Sequence, residues 1–411
     1  MFLIRSQFPF FLFFLFSFSV FSCEDKPLYI EDKDLSLKID TVSFVVTESI
    51  TYQTPPIMGG SKRLYLGRSE NYDFEYAMIR FNNTASRRFD PQGNRNIIDN
   101  FIDYNDSLLT IDSLGLKLFF STDSVQTNSS FKLHYYPDGA DSVFSQAQTN
   151  YYNHNANFSN VISYGIVQSD TSSLSTLNFK IDSSYFSEFM DTSNVSFNNT
   201  FLISISSDEN KIHEFLSVNE DGINFPSLSI YFTYQIDDST LIDTFNTHSA
   251  SEDLSILKPP ALSDTDSTHL SVSLSKGLKS LLTIDMKDWK LPKSSVIRKA
   301  ELLLFPLNSD STNTFIVNSY PTETNFIPKS FTSYTSDPFI YNLDFGTSTI
   351  LTEKVKFNHR LGINGFFNDN ESIHVFNLQS SSLNDPFKTV SFYDDKNVEF
   401  YPRLRILYVN P

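Results

Sequence analysis

The chain has little cysteine, tryptophan, glycine and positive charge. Its 411 residues include one Cys, one Trp and 12 Gly, and 31 Lys and Arg stand against 48 Asp and Glu. A single Cys excludes an internal disulfide and a cysteine-rich zinc site. A net charge of −17 argues against a nucleic-acid partner, because phosphate contacts need a basic surface. The 40% apolar content excludes a disordered chain, and the length predicts two or three domains.

The longest apolar run lies at the N-terminus. Arg5 precedes an almost uninterrupted apolar segment over residues 8–21. This segment is too short to span a bilayer, which takes about 20 residues, but it has the length of a signal-peptide core. We therefore predict a secretory signal peptide over residues 1–22.

The only Cys, Cys23, follows Val20, Phe21 and Ser22. An aliphatic residue, a spacer, a small residue and then Cys resembles the lipobox of bacterial lipoproteins, and an ordinary signal peptide with a chance Cys is the alternative. The resemblance implies lipidation of Cys23 and a lipid anchor in the membrane. The charged residues and Pro that follow predict a flexible tether within 23–38. The acidic pair after Cys23 resembles the signal that sends Bacteroidota lipoproteins to the outer face of the outer membrane, so we expect an outer-membrane or cell-surface location.

Alternating apolar and polar residues dominate the chain past residue 30. Segments such as 41–46, 113–119 and 227–232 have the two-residue period of strands, and clusters of Ser, Thr, Asn and Asp separate them. Many short strands between turn residues predict an all-β protein built as β-sandwiches or jelly rolls.

The same series of sequence landmarks occurs in both halves of the chain. Each half opens on Ile-Asp-Thr, continues through a pair of prolines and closes on an alternating strand that begins with Pro. These landmarks stand at 39–41, 55–56 and 226–231 in the first half, and at 242–244, 259–260 and 402–407 in the second. We therefore predict two tandem jelly-roll or β-sandwich domains, over 39–236 and 240–411.

The second half resembles a known repeat family. Leu-x-Ile-Asp at 282–285, Leu-Pro at 291–292 and Val-Ile-x-x-Ala-x-Leu-x-Leu at 296–304 resemble the DNRLRE (disaggregatase-related) repeats, which are similar to carbohydrate-binding modules of family 96. The resemblance implies secreted jelly-roll domains, often noncatalytic and in part polysaccharide-binding. Through its lipobox and its Ile-Asp-Thr opening, the chain also resembles a group of Bacteroidota lipoproteins found beside glycan-uptake genes.

No local catalytic motif stands in the sequence. It contains no His-Glu-x-x-His, no Gly-x-Ser-x-Gly elbow and no phosphate-binding glycine loop. We therefore predict no catalytic residues, no enzyme activity and no cofactor. Acidic clusters at 103–106, 264–266, 368–371 and 394–395 leave Ca²⁺ open, but none has the twelve-residue calcium-loop pattern, and solvated turns are the plainer interpretation.

Exposed aromatic side chains are the groups that would stack on sugar rings. The candidates for ligand binding are Trp289, the pair Tyr135 and Tyr136, and the pair Tyr151 and Tyr152. Adjacent residues in a strand face opposite sides, so one of each pair can be exposed. The alternative is that all five pack inside or against the β-structure.

The expected function is that of a noncatalytic cell-surface lipoprotein that binds polysaccharide or supports a glycan-handling assembly of surface proteins. A structural, adhesin-like spacer is one alternative, and a secreted polysaccharide-degrading enzyme with a site built from distant residues is another. The acidic charge favours a neutral glycan, a cation-bridged glycan or a protein partner over a polyanion.

Overall fold

The computed structural model describes residues 38–87, 89, 104, 107–122, 128–135, 144–156, 158, 160–169, 174–186, 200–206, 210–263, 268–307, 314–328, 336–337, 346–349, 354–360, 362–363 and 372–410. The predicted signal peptide, Cys23 and the tether up to residue 37 lie outside these residues. The described residues are dominated by strands, with short helical turns such as the 3₁₀ turn Ser183–Tyr185, so the all-β prediction is confirmed. Among them, no helix has the length and apolar character needed to cross a membrane.

The strands alternate with turns along the whole described chain. Those up to residue 258 are β1 (Lys38–Val45), β2 (Glu48–Gln53), β3 (Arg63–Arg68), β4 (Asp73–Arg87), β5 (Leu109–Phe119), β6 (Ser130–Tyr135), β7 (Val161–Gln168), β8 (Thr176–Asp182), β9 (Thr200–Ser206), β10 (Ile212–Leu216), β11 (Ser227–Asp237) and β12 (Thr240–Lys258). Those that follow are β13 (Leu270–Ser273), β14 (Leu278–Asp285), β15 (Val296–Leu304), β16 (Ile316–Thr322), β17 (Gly346–Thr349), β18 (Val355–Asn358), β19 (Ile373–Ser380), β20 (Thr389–Phe392) and β21 (Arg403–Asn410).

Eight strands between Asp73 and Lys258 close into an antiparallel barrel, and from here on the first half means the part of the fold built around this barrel. Their order is β4-β12-β11-β5-β8-β7-β6-β9, and β9 pairs back onto β4. β3 and β10 extend the sheet outside this ring, because β3 pairs with the start of β4 and β10 pairs with β3. Register shifts along the ladder between β4 and β12 supply local twist that helps a sheet to curve. The closed ring stands where the sequence predicted two facing sheets.

The barrel core follows directly from the two-residue period. Leu114, Leu116 and Leu118 of β5 are fully buried, as are Leu228 and Ile230 of β11. These side chains meet inside the ring in one apolar cluster. Each such side chain contributes roughly 1.5–3 kcal/mol by leaving water. The intervening residues of the same strands point outward and form the surface on which a ligand could bind.

The second half of the fold consists of β1, β2 and β13 to β21, which form two sheets with a common core. One sheet has the order β1-β21-β15-β18, and the other has the order β17-β16-β19-β14-β13-β20, with β2 also paired to β14. Leu302 and Ile406 from the first sheet meet Leu282 and Phe376 from the second in a single buried cluster. This half therefore has the facing sheets of a sandwich.

The pairing order of the second half repeats that of the barrel. In the second half β14 pairs with β19, β19 with β16 and β16 with β17. In the barrel β4 pairs with β9, β9 with β6 and β6 with β7 in the same order. β21, β15 and β18 likewise follow the order of β11, β5 and β8. β2 pairs with β14 and β1 with β21, where the barrel has β12 paired with both β4 and β11. The strands that open each half of the sequence are thus exchanged between the two halves of the fold. β1 and β2 complete the sheets of the second half, and β12 completes the barrel of the first.

This exchange corrects the predicted domain boundaries. The gap between 236 and 240 falls in the tight turn between β11 and β12, which pair with each other along most of β11. The predicted domain 39–236 therefore includes two strands that belong to the sheets of the second half, and 240–411 includes one strand of the barrel. The alternation of side chains identifies a strand but does not identify its partner.

An aromatic cluster joins the two halves. The ring of Phe387 lies 5.4 Å from that of Tyr65, 6.0 Å from that of Phe74 and 5.2 Å from that of Tyr72, all at steep angles. Met58 and Leu257 belong to the same buried group. Aromatic contacts of this geometry add to the stability from area burial, so the halves are held by packing as well as by the exchanged strands.

Candidate functional site

An open groove of about 810 Å³ crosses the outer face of the barrel strands β12, β11, β5, β8 and β7. We call it the barrel groove. Ser113 and Gly115 of β5 and Ser227 and Ser229 of β11 line its floor. These side chains are small, so the surface of the sheet lies low between the larger residues at either side. A depression on an otherwise flat sheet face gives a ligand two walls to contact.

One wall of the barrel groove is aromatic. Tyr231 lies opposite Phe245 in the ladder, with 5.4 Å between ring centroids and 39° between ring planes. Tyr231 is 41% exposed. A Cβ atom added to Gly115 would lie 3.1 Å from Cε2 of Tyr231. The absence of a side chain at Gly115 therefore lets the tyrosine ring lie close to the sheet with one side accessible.

The other wall combines apolar side chains with a cation. Phe119 and Phe225 line it, and Ile223 beside them is 87% exposed. The ammonium group of Lys117 lies 5.7 Å from the ring centroid of Phe119, within the range of a cation–π contact. Lys180, which lies opposite Gly115 in the ladder with β8, also lines the groove.

Hydroxyl and amide groups lie between the two walls. Asn178 donates from Nδ2 to Oγ1 of Thr176 at 2.8 Å and to Oε1 of Gln168 at 3.3 Å. The hydroxyl groups of Ser229 and Thr247 lie 3.3 Å apart across the ladder. Aromatic faces beside short polar groups match a sugar, which has apolar ring faces and a rim of hydroxyl groups.

Tyr135 and Tyr136 do not supply the predicted sugar contact. Tyr135 is fully buried in the barrel core, and its ring lies 5.4 Å from that of Phe201. The pairing of β6 with both β7 and β9 directs this side chain inward, so the prediction for Tyr135 is wrong. Tyr136 lies outside the described residues.

Tyr151 and Tyr152 occupy a loop that covers the barrel on another side. Tyr151 packs against a small apolar cluster, and the ammonium group of Lys258 lies 5.7 Å from its ring centroid. Tyr152 is 46% exposed, and its ring lies 5.2 Å from that of Tyr151 at 86°. Only Tyr152 of this pair presents a large aromatic surface, and neither residue lines the barrel groove.

Trp289 is a packing residue of the second half. Its ring lies 5.4 Å from that of Phe44 and 5.7 Å from that of Tyr408, and it borders the core between the two sheets. The tryptophan therefore covers the end of the core, which was the alternative interpretation of this residue.

A buried group of titratable side chains lies elsewhere in the second half. Lys279 pairs with Asp337, which also accepts a hydrogen bond of 2.8 Å from the hydroxyl of Tyr52. Asn377 donates to the same hydroxyl at 2.5 Å. Burial lowers the pKa of Lys279, and the charge of Asp337 opposes this shift. The carboxylate is almost fully enclosed, so these contacts fasten Asp337 to the sheet.

The structure brings together no metal site among the residues it describes: no three His, Cys, Asp or Glu side chains in that part of the chain are placed to hold an ion. Of the acidic clusters considered for Ca²⁺, the cluster at 394–395 is fully described. There Asp394 accepts from the backbone N–H of Lys396, and Asp395 accepts from the hydroxyl of Ser49. Most or all of the other three clusters lies outside the described residues.

Tyr231 and Phe245 form the part of the site that the sequence analysis missed. The available signal was the run of small residues at outward positions of 113–115 and 227–229, next to an outward Tyr. Its meaning depends on the pairing of β5 with β11, which lie far apart in sequence. No protein-family model matches the chain, and no match is found among curated proteins.

Proposed function

We propose that the protein is a noncatalytic cell-surface lipoprotein that binds polysaccharide through the barrel groove. The observation that carries the proposal is the pairing of Tyr231 and Phe245 with a floor of serine and glycine and with nearby hydroxyl, amide and ammonium groups. Such a groove is open along the sheet, which suits a chain better than a single small molecule. A role as an accessory to a glycan-handling assembly of surface proteins follows from binding without turnover.

We also infer that each half is a jelly roll and that the two halves arose by tandem duplication. The barrel order divides into β12-β11-β5-β8 and β4-β9-β6-β7, the two interleaved four-strand groups that two Greek keys produce. The repeated pairing order in the second half supports a duplication, in line with the recurring sequence landmarks. The resemblance to DNRLRE repeats and to carbohydrate-binding modules of family 96 agrees with this architecture and with sugar binding.

The proposed location rests on Cys23. Metabolic labelling with a palmitate analogue is expected to tag the wild-type protein in a bacterial host and not the Cys23→Ser variant. Equal labelling of both proteins would contradict lipidation at this position and would favour an ordinary signal peptide.

A glycan array tests the function of the barrel groove. Tyr231→Ala is expected to weaken binding of the preferred neutral glycan by roughly two- to tenfold, because stacking on an aromatic ring contributes about 0.5–1.5 kcal/mol. Tyr164→Ala is the matched control, since Tyr164 is 62% exposed on the same barrel but does not line the groove. Equal losses in both variants would reject the groove as the site.

Product analysis separates binding from catalysis. Incubation of bound polysaccharide with the protein is expected to release no new reducing ends. Release of sugar that survives Tyr231→Ala would place a catalytic site elsewhere and reject the noncatalytic proposal. No binding to any glycan would favour the structural spacer instead.

A further inference from the structure

The outer face of the sheet β1-β21-β15-β18 in the second half carries a concentration of positive charge. In one row of paired residues Leu303 lies between Arg403 and Lys356, and in the next Arg405 lies beside Glu301. Lys299 stands in the next row, and Lys354 immediately precedes β18. We call this surface the cationic face and define it by Lys299, Lys354, Lys356, Arg403 and Arg405.

The cationic face contrasts with the rest of an acidic chain. The whole chain has a net charge of −17. Within the described rows of this face, Glu301 is the one carboxylate, and it pairs with Arg405. The excess of cations over anions in these rows is therefore local and large.

The cations of this face lie on three neighbouring strand segments and act on one another's charge. Burial lowers the pKa of Lys354, and the charges of Arg405, Lys356 and Arg403 lower it further. Burial raises the pKa of Glu301, but the hydrogen bond and charge of Arg405, with Lys356 and Lys299, bring it below its ordinary value. Five cations thus share one small region, and folding holds them there against their repulsion.

Aromatic rings border the cationic face at one end. The guanidinium carbon of Arg403 lies 5.3 Å from the ring centroid of Phe305 and 5.4 Å from that of Tyr401. The ring of Phe400 lies 5.8 Å from that of Phe305, and Phe400 is 38% exposed. The arginine is held between two rings, which fixes a planar donor beside apolar surface.

We propose that the cationic face binds an acidic polysaccharide, with Arg403 and Lys356 contacting its carboxylates and Phe305 and Tyr401 bordering its sugar rings. The proposal rests on the proposed function for the class of polymer, and on the cationic face for its charge. By the repeated pairing order, this face occupies in the second half the place that the barrel groove occupies in the first. The two halves would then bind glycan segments that differ in charge.

Charge complementarity and the flanking rings favour this occupant. An acidic polysaccharide offers carboxylates to the cations and apolar ring faces to the aromatic residues. A nucleic acid carries a denser charge, which the acidic remainder of the molecule would repel. An anionic membrane offers phosphates but no rings to match the aromatic border.

A matched pair of polymers tests the proposal. Binding of the full chain to polygalacturonate is compared with binding to the same polymer after its carboxyl groups have been reduced to alcohols. The cationic face is expected to bind the carboxylated form at low salt, with affinity that falls as salt rises. Binding of the reduced form should not depend on the variants of this face.

Arg403→Gln and Lys356→Gln are each expected to weaken polygalacturonate binding about tenfold, as for loss of a charge-assisted hydrogen bond. Lys293→Gln removes the same charge from an exposed loop and should leave binding almost unchanged. Arg403→Lys should restore only part of the affinity, because it restores the charge without the planar group.

The outcomes separate this inference from the function of the barrel groove. Undiminished polygalacturonate binding in both glutamine variants, or no binding at all, would overturn the inference. Tighter binding of single-stranded DNA or of phosphatidylglycerol vesicles in the same assay would also overturn it. Neutral-glycan binding is measured in a separate assay, so a failure of the barrel groove there would be seen independently of the result with polygalacturonate.

Discussion

Among single residues, Asp253 of β12 is a buried carboxyl group. Its carboxyl group is 1% exposed and accepts hydrogen bonds from the hydroxyl of Ser217 at 2.7 Å and from the backbone N–H of Val218 at 2.9 Å. These bonds fasten the turn after β10 to β12. Burial nevertheless raises the pKa of Asp253 to about 7, because the loss of water outweighs both hydrogen bonds.

This shift predicts a pH-dependent stability. A carboxyl group with a raised pKa in the folded state stabilises the fold below its ordinary pKa near 4, and this contribution is lost as the pH rises to 7. The stability of the wild type relative to Asp253→Asn should therefore fall between pH 4 and 7, by up to about 4 kcal/mol. Chemical denaturation at several pH values measures this difference.

The comparison with the variant is needed because another residue acts in the opposite direction. Burial lowers the pKa of His374 to about 4, so its contribution is present above its ordinary pKa of 6.5 and is lost as the pH falls to 4. The two effects offset each other in the wild type. A difference between wild type and Asp253→Asn that does not change with pH would contradict the assignment to Asp253.

At the scale of elements, two glycines at turns show how closely the chain segments approach. Gly277, between β13 and β14, has φ of +63°, and a Cβ atom there would lie 1.8 Å from the carbonyl oxygen of Thr54. Gly222, in the turn before β11, has φ of +142° and nothing within 4 Å of the same position. Both have backbones that favour glycine, but of the two only Gly277 also lies against another segment, the backbone just after β2.

Gly277→Ala and Gly222→Ala therefore form a matched pair. Each substitution costs about 1–3 kcal/mol of backbone strain. Gly277→Ala should cost about 1–3 kcal/mol more, because the new methyl group displaces the backbone after β2. The denaturation midpoints of both variants measure the difference, and equal losses would show that β2 does not lie against β14 as described.

Trp289 and Tyr231 show what decides the role of an aromatic residue in such elements. Tyr231 lies within β11 and Trp289 follows β14, and the alternating pattern of both strands is clear from the sequence. Trp289 covers the core because the loop after β14 places it over Phe44 and Tyr408. Tyr231 is accessible because β11 is paired on both edges and the residues beside it on β5, Ser113 and Gly115, are small. The pattern in the strand predicts the direction of a side chain, and the neighbouring strands determine what it contacts.

At the scale of the whole molecule, the exchanged strands make the two halves depend on each other. β1 and β2 pair with β21 and β14, and β12 pairs with β4 and β11. A fragment that ends at residue 236 would lack a strand of its barrel ring. A fragment that begins at 240 would leave β14 and β21 each without one partner.

A cut in the turn between β11 and β12 tests this dependence. With a specific protease site inserted at 237–240, the cleaved chain is expected to elute as one particle and to separate only in denaturant. Fragments 38–236 and 240–411 should each aggregate when expressed alone and should form a stable complex when expressed together. Folded, independent halves, or halves that part after cleavage under native conditions, would contradict the exchange.

Local patterning of the amino-acid sequence is enough to predict the strand class, the inward and outward faces of the strands and the recurrence of one pattern in two halves. These properties depend on side chains within a few residues of one another, because the two-residue period and turn residues act locally. Which strands pair, that the first half closes into a ring, and that β12 completes this ring in place of β1 and β2 are known from the three-dimensional structure. It also decided where Tyr231 meets Phe245 and where five cations meet, because these contacts join strands far apart in the chain, and local patterning leaves such pairings open.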